Sequence, residues 1–285
     1  MQVGVHCIRG NIPHQECRQC ALNPLHPCAY TPDLLEKIRV DPHERSIQFS
    51  PTRILSCFRQ SVLKGQVDYY TDVDNAYPLM RGNMLHAMME MSRYPGAIGC
   101  LREHQFHTTV HTAYGDVPFE SKPDLIVIKE AQDGVLKCKV VDYKTKTDVG
   151  HDLTAPIFNH IAQVNMYRWL VMRELPKECG WDVDVDELEI EYCAMAKPRR
   201  FTSAGPLVTR GKMTKRSPRQ YADLPLEAIP VWELDAIEKA VVRRIELRLA
   251  PREALPEVLP PEEQWMCERC DVAKVCWDRY RDGEA

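Results

Sequence analysis

Short runs of β-branched residues, broken by turn signals, alternate along the chain with longer stretches whose apolar positions recur every three or four residues. The clearest run is Ser121-Lys122-Pro123-Asp124-Leu125-Ile126-Val127-Ile128, answered after a polar break by Val140-Val141-Asp142-Tyr143-Lys144. Gln132-Asp133-Gly134 between them is a turn signal, so the two halves predict a β-hairpin. Because side chains alternate along a strand, Asp142 and Lys144 share one face and Val141 and Tyr143 take the other. A strand is also expected over residues 101–110. Another is expected over 187–196, where Leu188, Ile190, Tyr192 and Ala194 alternate with Glu189, Glu191 and Cys193.

The helical pattern predicts a short helix over residues 33–39. Ser50-Pro51-Thr52 supplies an N-cap with proline at the first helical position, so a helix should follow over 51–64 and carry Cys57. After a polar loop holding Tyr69 and Tyr70, residues 79–93 form a third helix, with Gly82 and His86 one turn apart on one face. Residues 155–174 predict a fourth, in which Gln163 and Tyr167 stand at i and i+4. The last runs over 232–249, where Leu234, Ile237, Val241, Ile245 and Leu249 repeat at helical steps. Strand, helix and strand in this order build an α/β fold with a mixed central sheet flanked by helices.

Composition narrows the class without deciding it. The chain has 285 residues, with hydrophobic and charged fractions of 44% and 27%, ordinary for a soluble globular protein. No run reaches the length of a membrane helix and the first residues lack a signal pattern, so a cytoplasmic protein is expected. The net charge of −4 argues against a protein that coats nucleic acid. Yet eight basic residues (Lys197, Arg199, Arg200, Arg210, Lys212, Lys215, Arg216, Arg219) lie between 197 and 221 with no Asp or Glu, leaving −12 for the rest. This stretch is a candidate DNA-binding loop, against the alternative of a merely solvated one.

Twelve cysteines without an export signal favour metal ligation over disulfides. Cys7, Cys17, Cys20 and Cys28 sit in a segment too poor in large apolar residues to build a core. A tetrahedral zinc would supply the missing stabilisation; the alternative is a packed-on arm with free thiols. Near the other end, Cys267, Cys270 and Cys276 give three thiolates spaced C-x2-C-x5-C. A tetrahedral site or a cubane cluster needs a fourth, for which Cys57 is the natural candidate, and zinc and iron–sulfur both suit such a set.

The hairpin carries the chemistry. Two carboxylates, Asp124 and Asp142, can hold a hard divalent cation, and Lys144 can act on an attacking water or on developing charge. An ordinary solvent-edge hairpin is the bland alternative. Pro123-Asp124 and Asp142-Tyr143-Lys144 resemble the two halves of the PD-(D/E)xK nuclease superfamily signature. With Gly82-x3-His86 before them and Gln163-x3-Tyr167 after, the closer likeness is to RecB-type nucleases, including the CRISPR-associated iron–sulfur exonucleases and AddB nuclease domains. One departure is Ser121, where the family often has glycine.

The resemblance implies a restriction-endonuclease-like core and metal-dependent DNA cleavage, exonuclease-like on single-stranded or end-bearing DNA. It implies Mg²⁺ or Mn²⁺ held by His86, Asp124, Asp142 and the Tyr143 carbonyl, with Asp124, Asp142, Lys144, Gln163 and Tyr167 as the catalytic set. Glu103 is a further carboxylate that such a site can recruit. It also implies a 4Fe-4S cluster on Cys57, Cys267, Cys270 and Cys276, and it leaves open a protein partner in recombination, CRISPR adaptation or phage replication. Three segments are expected: a cysteine-rich arm over 1–45, the nuclease core over 46–255 with its basic loop at 197–222, and a cluster-completing segment over 256–285. A catalytically silent DNA-binding or assembly module on the same scaffold, and an RNA-directed nuclease, are the rival readings.

Overall fold

The computed structural model describes residues 2–7, 9–23, 28, 30, 35, 49–91, 94–146, 156–194, 199–204, 228–250, 267 and 270–281. Its chain divides into two compact units, one of residues 1–47, 56–81 and 248–285, the other of residues 48–55 and 82–247.

The first unit is built on a three-stranded sheet. Strand β1 (Gln2–Cys7) pairs antiparallel with β2 (Gly10–Pro13) and parallel with β3 (Tyr69–Asp72). Tyr69 and Tyr70 therefore belong to a strand, where a polar loop was expected. Gly4 makes this pairing possible: a Cβ there would lie 2.2 Å from the Ile12 carbonyl oxygen and 2.7 Å from the Tyr70 ring. Helix α1 (His14–Ala21) buries Cys17 with Val5, Leu35 and Val73, and Cys7 and Cys28 pack against that small core. Of the helix expected over 33–39, only Leu35 lies within the described residues; it is helical and buried.

The second unit carries a five-stranded mixed sheet in the order β10-β9-β8-β7-β4, from strands β4 (Gly99–Arg102), β7 (Leu125–Gln132), β8 (Val135–Lys146), β9 (Asp182–Ala194) and β10 (Arg199–Thr202). Only the β8–β9 pairing is parallel. The predicted hairpin is β7–β8, and Asp133 and Gly134 at its turn both have positive φ (52° and 80°), the geometry a two-residue Asp-Gly turn supplies. The remaining strands, β5 (Phe106–Thr112) and β6 (Gly115–Ser121), form a separate two-stranded ribbon. The single strand expected over 101–110 is thus two, parted at Glu103, whose φ of +47° turns the chain out of the main sheet.

Four helices depart from their expected bounds. The helix expected over 51–64 is two, α2 (Pro51–Leu55) and α3 (Phe58–Gln66), with Cys57 extended at the break as the N-cap of α3. The break frees carbonyls that arginines satisfy: Arg244 donates to Ile54 O (3.1 Å) and Arg248 to Ser56 O (2.9 Å). Both side chains are half-buried. Helix α4 (Val73–Glu90) starts ahead of Pro78, six residues earlier than expected. Helix α5 (Phe158–Cys179) runs through Pro176 to left-handed Gly180, whose N–H donates to Pro176 O at 2.9 Å. It packs over β9, β8 and the ribbon strand β5, and α2 packs on it. Asn165, fully buried in α5, donates to Pro230 O and accepts from Trp232 N, fixing the chain ahead of α6 (Leu234–Leu249). The last helix, α7 (Ala273–Arg281), belongs to the first unit.

Candidate metal and nuclease site

Asp124, Asp142 and Lys144 lie at one end of the β7–β8 hairpin. On one face of these strands, Leu125, Val127, Val141 and Tyr143 form a buried cluster against which Leu85 and Met89 of α4 pack. This contact fixes α4 over the hairpin and brings His86 to the carboxylates. Gly82 lets the helix come close: a Cβ there would stand 3.3 Å from Thr145 Oγ1.

His86 Nδ1 lies 3.1 Å from Glu103 Oε1 and 3.3 Å from Asp124 Oδ1. The donor atoms of His86, Glu103 and Asp124 all lie within 4.8 Å of one another. Among the described residues this is the one such group of three or more His, Cys, Asp or Glu. Oxygen and nitrogen donors at about 2.0–2.6 Å from a common ion span just this distance, so the trio fits a hard divalent cation. Backbone contacts hold the acids in place. Tyr143 N–H donates to Asp124 Oδ2 at 2.6 Å, and Glu103 N–H donates to the Asp124 carbonyl at 3.1 Å.

The electrostatics match a cation site. Hydrogen bonds to Asp124 first, then to Glu103, push the His86 imidazole up to about 10 against the opposing effect of burial. A proton on that ring occupies the place of positive charge between the two acids. Burial alone would raise the Glu103 carboxyl, but hydrogen bonds from His86 and Lys122 hold it below its ordinary range. Lys122 Nζ lies 2.6 Å from Glu103 Oε2.

Asp142 stands outside the trio and is wholly buried. Burial pushes its carboxyl up, Lys144 opposes this, and the charge of Asp124 adds to it. Lys144 Nζ donates to Asp142 Oδ1 (2.8 Å) and to Gln163 Oε1 (3.0 Å). Gln163 in turn donates to Thr52 Oγ1 (3.3 Å) and to the Tyr167 hydroxyl. Burial first, then the charges of Asp142 and Asp124, keep the Tyr167 phenol neutral. Gln163 thus links Lys144 to Tyr167 and Thr52 through hydrogen bonds.

The sequence motifs pointed to His86, Asp124, Asp142, Lys144, Gln163 and Tyr167, and the fold gathers all six. Lys122 and Thr52 carried no signal as site residues. Glu103, expected as a further carboxylate, joins His86 and Asp124 through its left-handed backbone. Of the eight residues of the basic loop, all but Arg199 and Arg200 lie outside the described residues, and these two pair as backbone with Tyr192 and Glu191.

In the first unit, Cys270 and Cys276 pack on a buried cluster of Leu63, Tyr69 and Val272. Burial pushes the Cys270 thiol up to about 11, with Cys57 adding to it. Burial, then Cys57 and Cys276, raise Cys267. Cys57 thus acts electrostatically on both Cys267 and Cys270, while no three of these four sulfurs share the 4.8 Å spacing of the His86 trio. Arg9 Nη1 donates to Cys20 Sγ at 2.7 Å beside the N-terminal core.

A solved structure titled "Crystal structure of SSO0001" is similar to this chain at a TM-score of 0.50 and 14% sequence identity, covering 85% of this chain and 91% of that one. That likeness speaks to the fold alone. No curated protein matches the sequence significantly. No helix among the described residues is long and apolar enough to cross a membrane. The family model described as PD-(D/E)XK nuclease superfamily matches residues 92–277, a span holding Glu103, Asp124, Asp142 and Lys144, and the chain belongs to that superfamily.

Proposed function

We propose that this protein is a Mg²⁺- or Mn²⁺-dependent deoxyribonuclease that hydrolyses phosphodiester bonds, acting exonuclease-like on single-stranded or end-bearing DNA. The observation that carries the reading is a cation-sized donor trio of His86, Glu103 and Asp124 beside a lysine held between a buried carboxylate and an amide. The preference for DNA, and for ends, rests on the resemblance to RecB-type iron–sulfur exonucleases.

A divalent ion held there would polarise the phosphodiester and lower the pKa of a water. In this reading His86, Glu103, Asp124 and Asp142 hold and balance its charge, with the Tyr143 carbonyl completing the sphere. Lys144, fixed by Asp142 and Gln163, orients the attacking water and stabilises charge developing on the phosphate. Tyr167 and Thr52 keep the Gln163 amide turned toward Lys144. The basic loop supplies phosphate contacts along the strand.

The same proposal assigns a 4Fe-4S cluster to Cys57, Cys267, Cys270 and Cys276, supported by their mutual electrostatics over an apolar floor. The cluster would act as a staple, closing a loop that spans most of the chain. Zinc at Cys7, Cys17, Cys20 and Cys28 is supported by the packing of Cys7, Cys17 and Cys28 around one small core. Bound there, zinc would cross-link a segment that has little apolar core of its own.

Cleavage of single-stranded DNA, duplex DNA and RNA in Mg²⁺ or Mn²⁺ tests the reading. Asp142→Asn and Lys144→Ala should each lower cleavage at least about 100-fold while DNA binding persists. Unchanged activity in both would favour a scaffold whose role is binding, and cleavage of RNA alone would replace the substrate.

A further inference from the structure

Lys122 lies on the three-residue connection between β6 and β7, two residues before Asp124 and one before buried Pro123. Its ammonium reaches Glu103 Oε2 at 2.6 Å, while the other oxygen of that carboxylate faces His86 at 3.1 Å. Glu103 therefore bridges the His86 imidazole and a lysine. The two ends of the ion pair differ in access: the Lys122 side chain is 53% exposed and that of Glu103 15%. Glu103 itself has little freedom, since its left-handed backbone (φ +47°) is pinned by its N–H bond to the Asp124 carbonyl. Lys122 is the more accessible member of the pair and carries its charge on a long, rotatable stem.

We infer that Lys122 is a substrate-binding residue that changes partner, holding Glu103 when the trio carries no ion and binding a backbone phosphate of the nucleic acid once a divalent cation takes the Glu103 carboxylate. The inference rests on the proposed nuclease reading and deepens it.

Charge supports the exchange. Glu103, Asp124 and Asp142 bring three negative charges, which a divalent ion and Lys144 together cancel. The metal-loaded site would then offer a phosphodiester no net attraction. Lys122 adds one positive charge, matching the single negative charge of a phosphodiester linkage. A lysine suits this task, being a compact point charge on a long stem. The ion pair also holds the Glu103 carboxylate in place beside His86 and Asp124, so the two roles are sequential and do not compete.

The test is DNA binding by the full-length protein, measured with a labelled single strand in EDTA and in Ca²⁺ as a cation that binds oxygen donors, for wild type, Lys122→Gln and Lys122→Arg. In Ca²⁺, Lys122→Gln should weaken binding about 5- to 10-fold and lower the slope of log affinity against log salt by about 0.7, the loss of one phosphate contact. In EDTA it should bind as wild type does, and Lys122→Arg should restore most of the affinity in Ca²⁺. With Mg²⁺ and substrate, Lys122→Gln should raise KM with little change in kcat. Equal binding by wild type and Lys122→Gln in Ca²⁺ would overturn the inference while leaving the nuclease reading intact. An equal loss in EDTA and Ca²⁺ would also overturn it, by making Lys122 a fixed contact. A wild type whose DNA affinity ignores Ca²⁺ and that cleaves no nucleic acid would sink both.

Discussion

With Nδ1 facing both Asp124 and Glu103, the His86 ring keeps its proton up to about pH 10, far above the 6.5 or so of an unfolded histidine. A group whose folded pKa is raised stabilises the fold fully below its unfolded pKa and loses that contribution as pH rises through the folded value. In metal-free protein the His86 contribution should therefore be complete below about pH 6.5 and fade toward pH 10. Thermal melts in EDTA across that range should show the decline, and His86→Gln should remove the His86-dependent part of it. Residues of this kind were legible in sequence only where a spacing reported them. Gly82-x3-His86 and Gln163-x3-Tyr167 are one helical turn each, so chain distance and spatial distance agree. Glu103 reaches the same site through a positive φ at a residue that is neither glycine nor asparagine, and no local signal announces such a conformation.

At the scale of elements, the hairpin β7–β8 was readable because β-branched runs flank an Asp-Gly turn and the buried face alternates cleanly. The ribbon β5–β6 was not, since His107, Thr109, His111 and Asp116 leave one face polar and only Phe106, Val110, Val117 and Phe119 report the other. Helix breaks were hidden for a related reason: the Ser56-Cys57 break is stabilised by arginines almost two hundred residues away in sequence. Inside the main sheet, Lys139 of β8 pairs with Glu189 of β9 at 2.5 Å and donates to the Tyr94 hydroxyl at 2.9 Å, with side-chain exposures of 8% and 2% for the pair. Breaking one side strands a buried charge, whereas replacing both by apolar residues removes the desolvation cost. Lys139→Ala should cost about 3–5 kcal/mol in urea unfolding, and Lys139→Met with Glu189→Leu should recover most of that loss.

For the molecule as a whole, the donor trio and Lys144 belong to one compact unit, and Cys57, Cys267, Cys270 and Cys276 to the other. Under the proposed cluster assignment, anaerobically purified protein should be brown, and Cys270→Ser should bleach it and lower the melting temperature. Colourless protein with bound zinc would keep the catalytic reading and remove the cluster. The domain scheme drawn from sequence treats residues 1–45 and 256–285 as separate segments, while the folded chain groups both with residues 56–81 in one unit. Pairing of β1 with β3, far apart in sequence, is invisible to local pattern. Glu103 sits at the joint where the backbone departs from β4 toward the ribbon, with its carboxylate among the donor trio. Backbone and carboxylate are therefore tied at one residue, so a substitution that straightens Glu103 out of its left-handed conformation displaces the start of the ribbon and a member of the trio together.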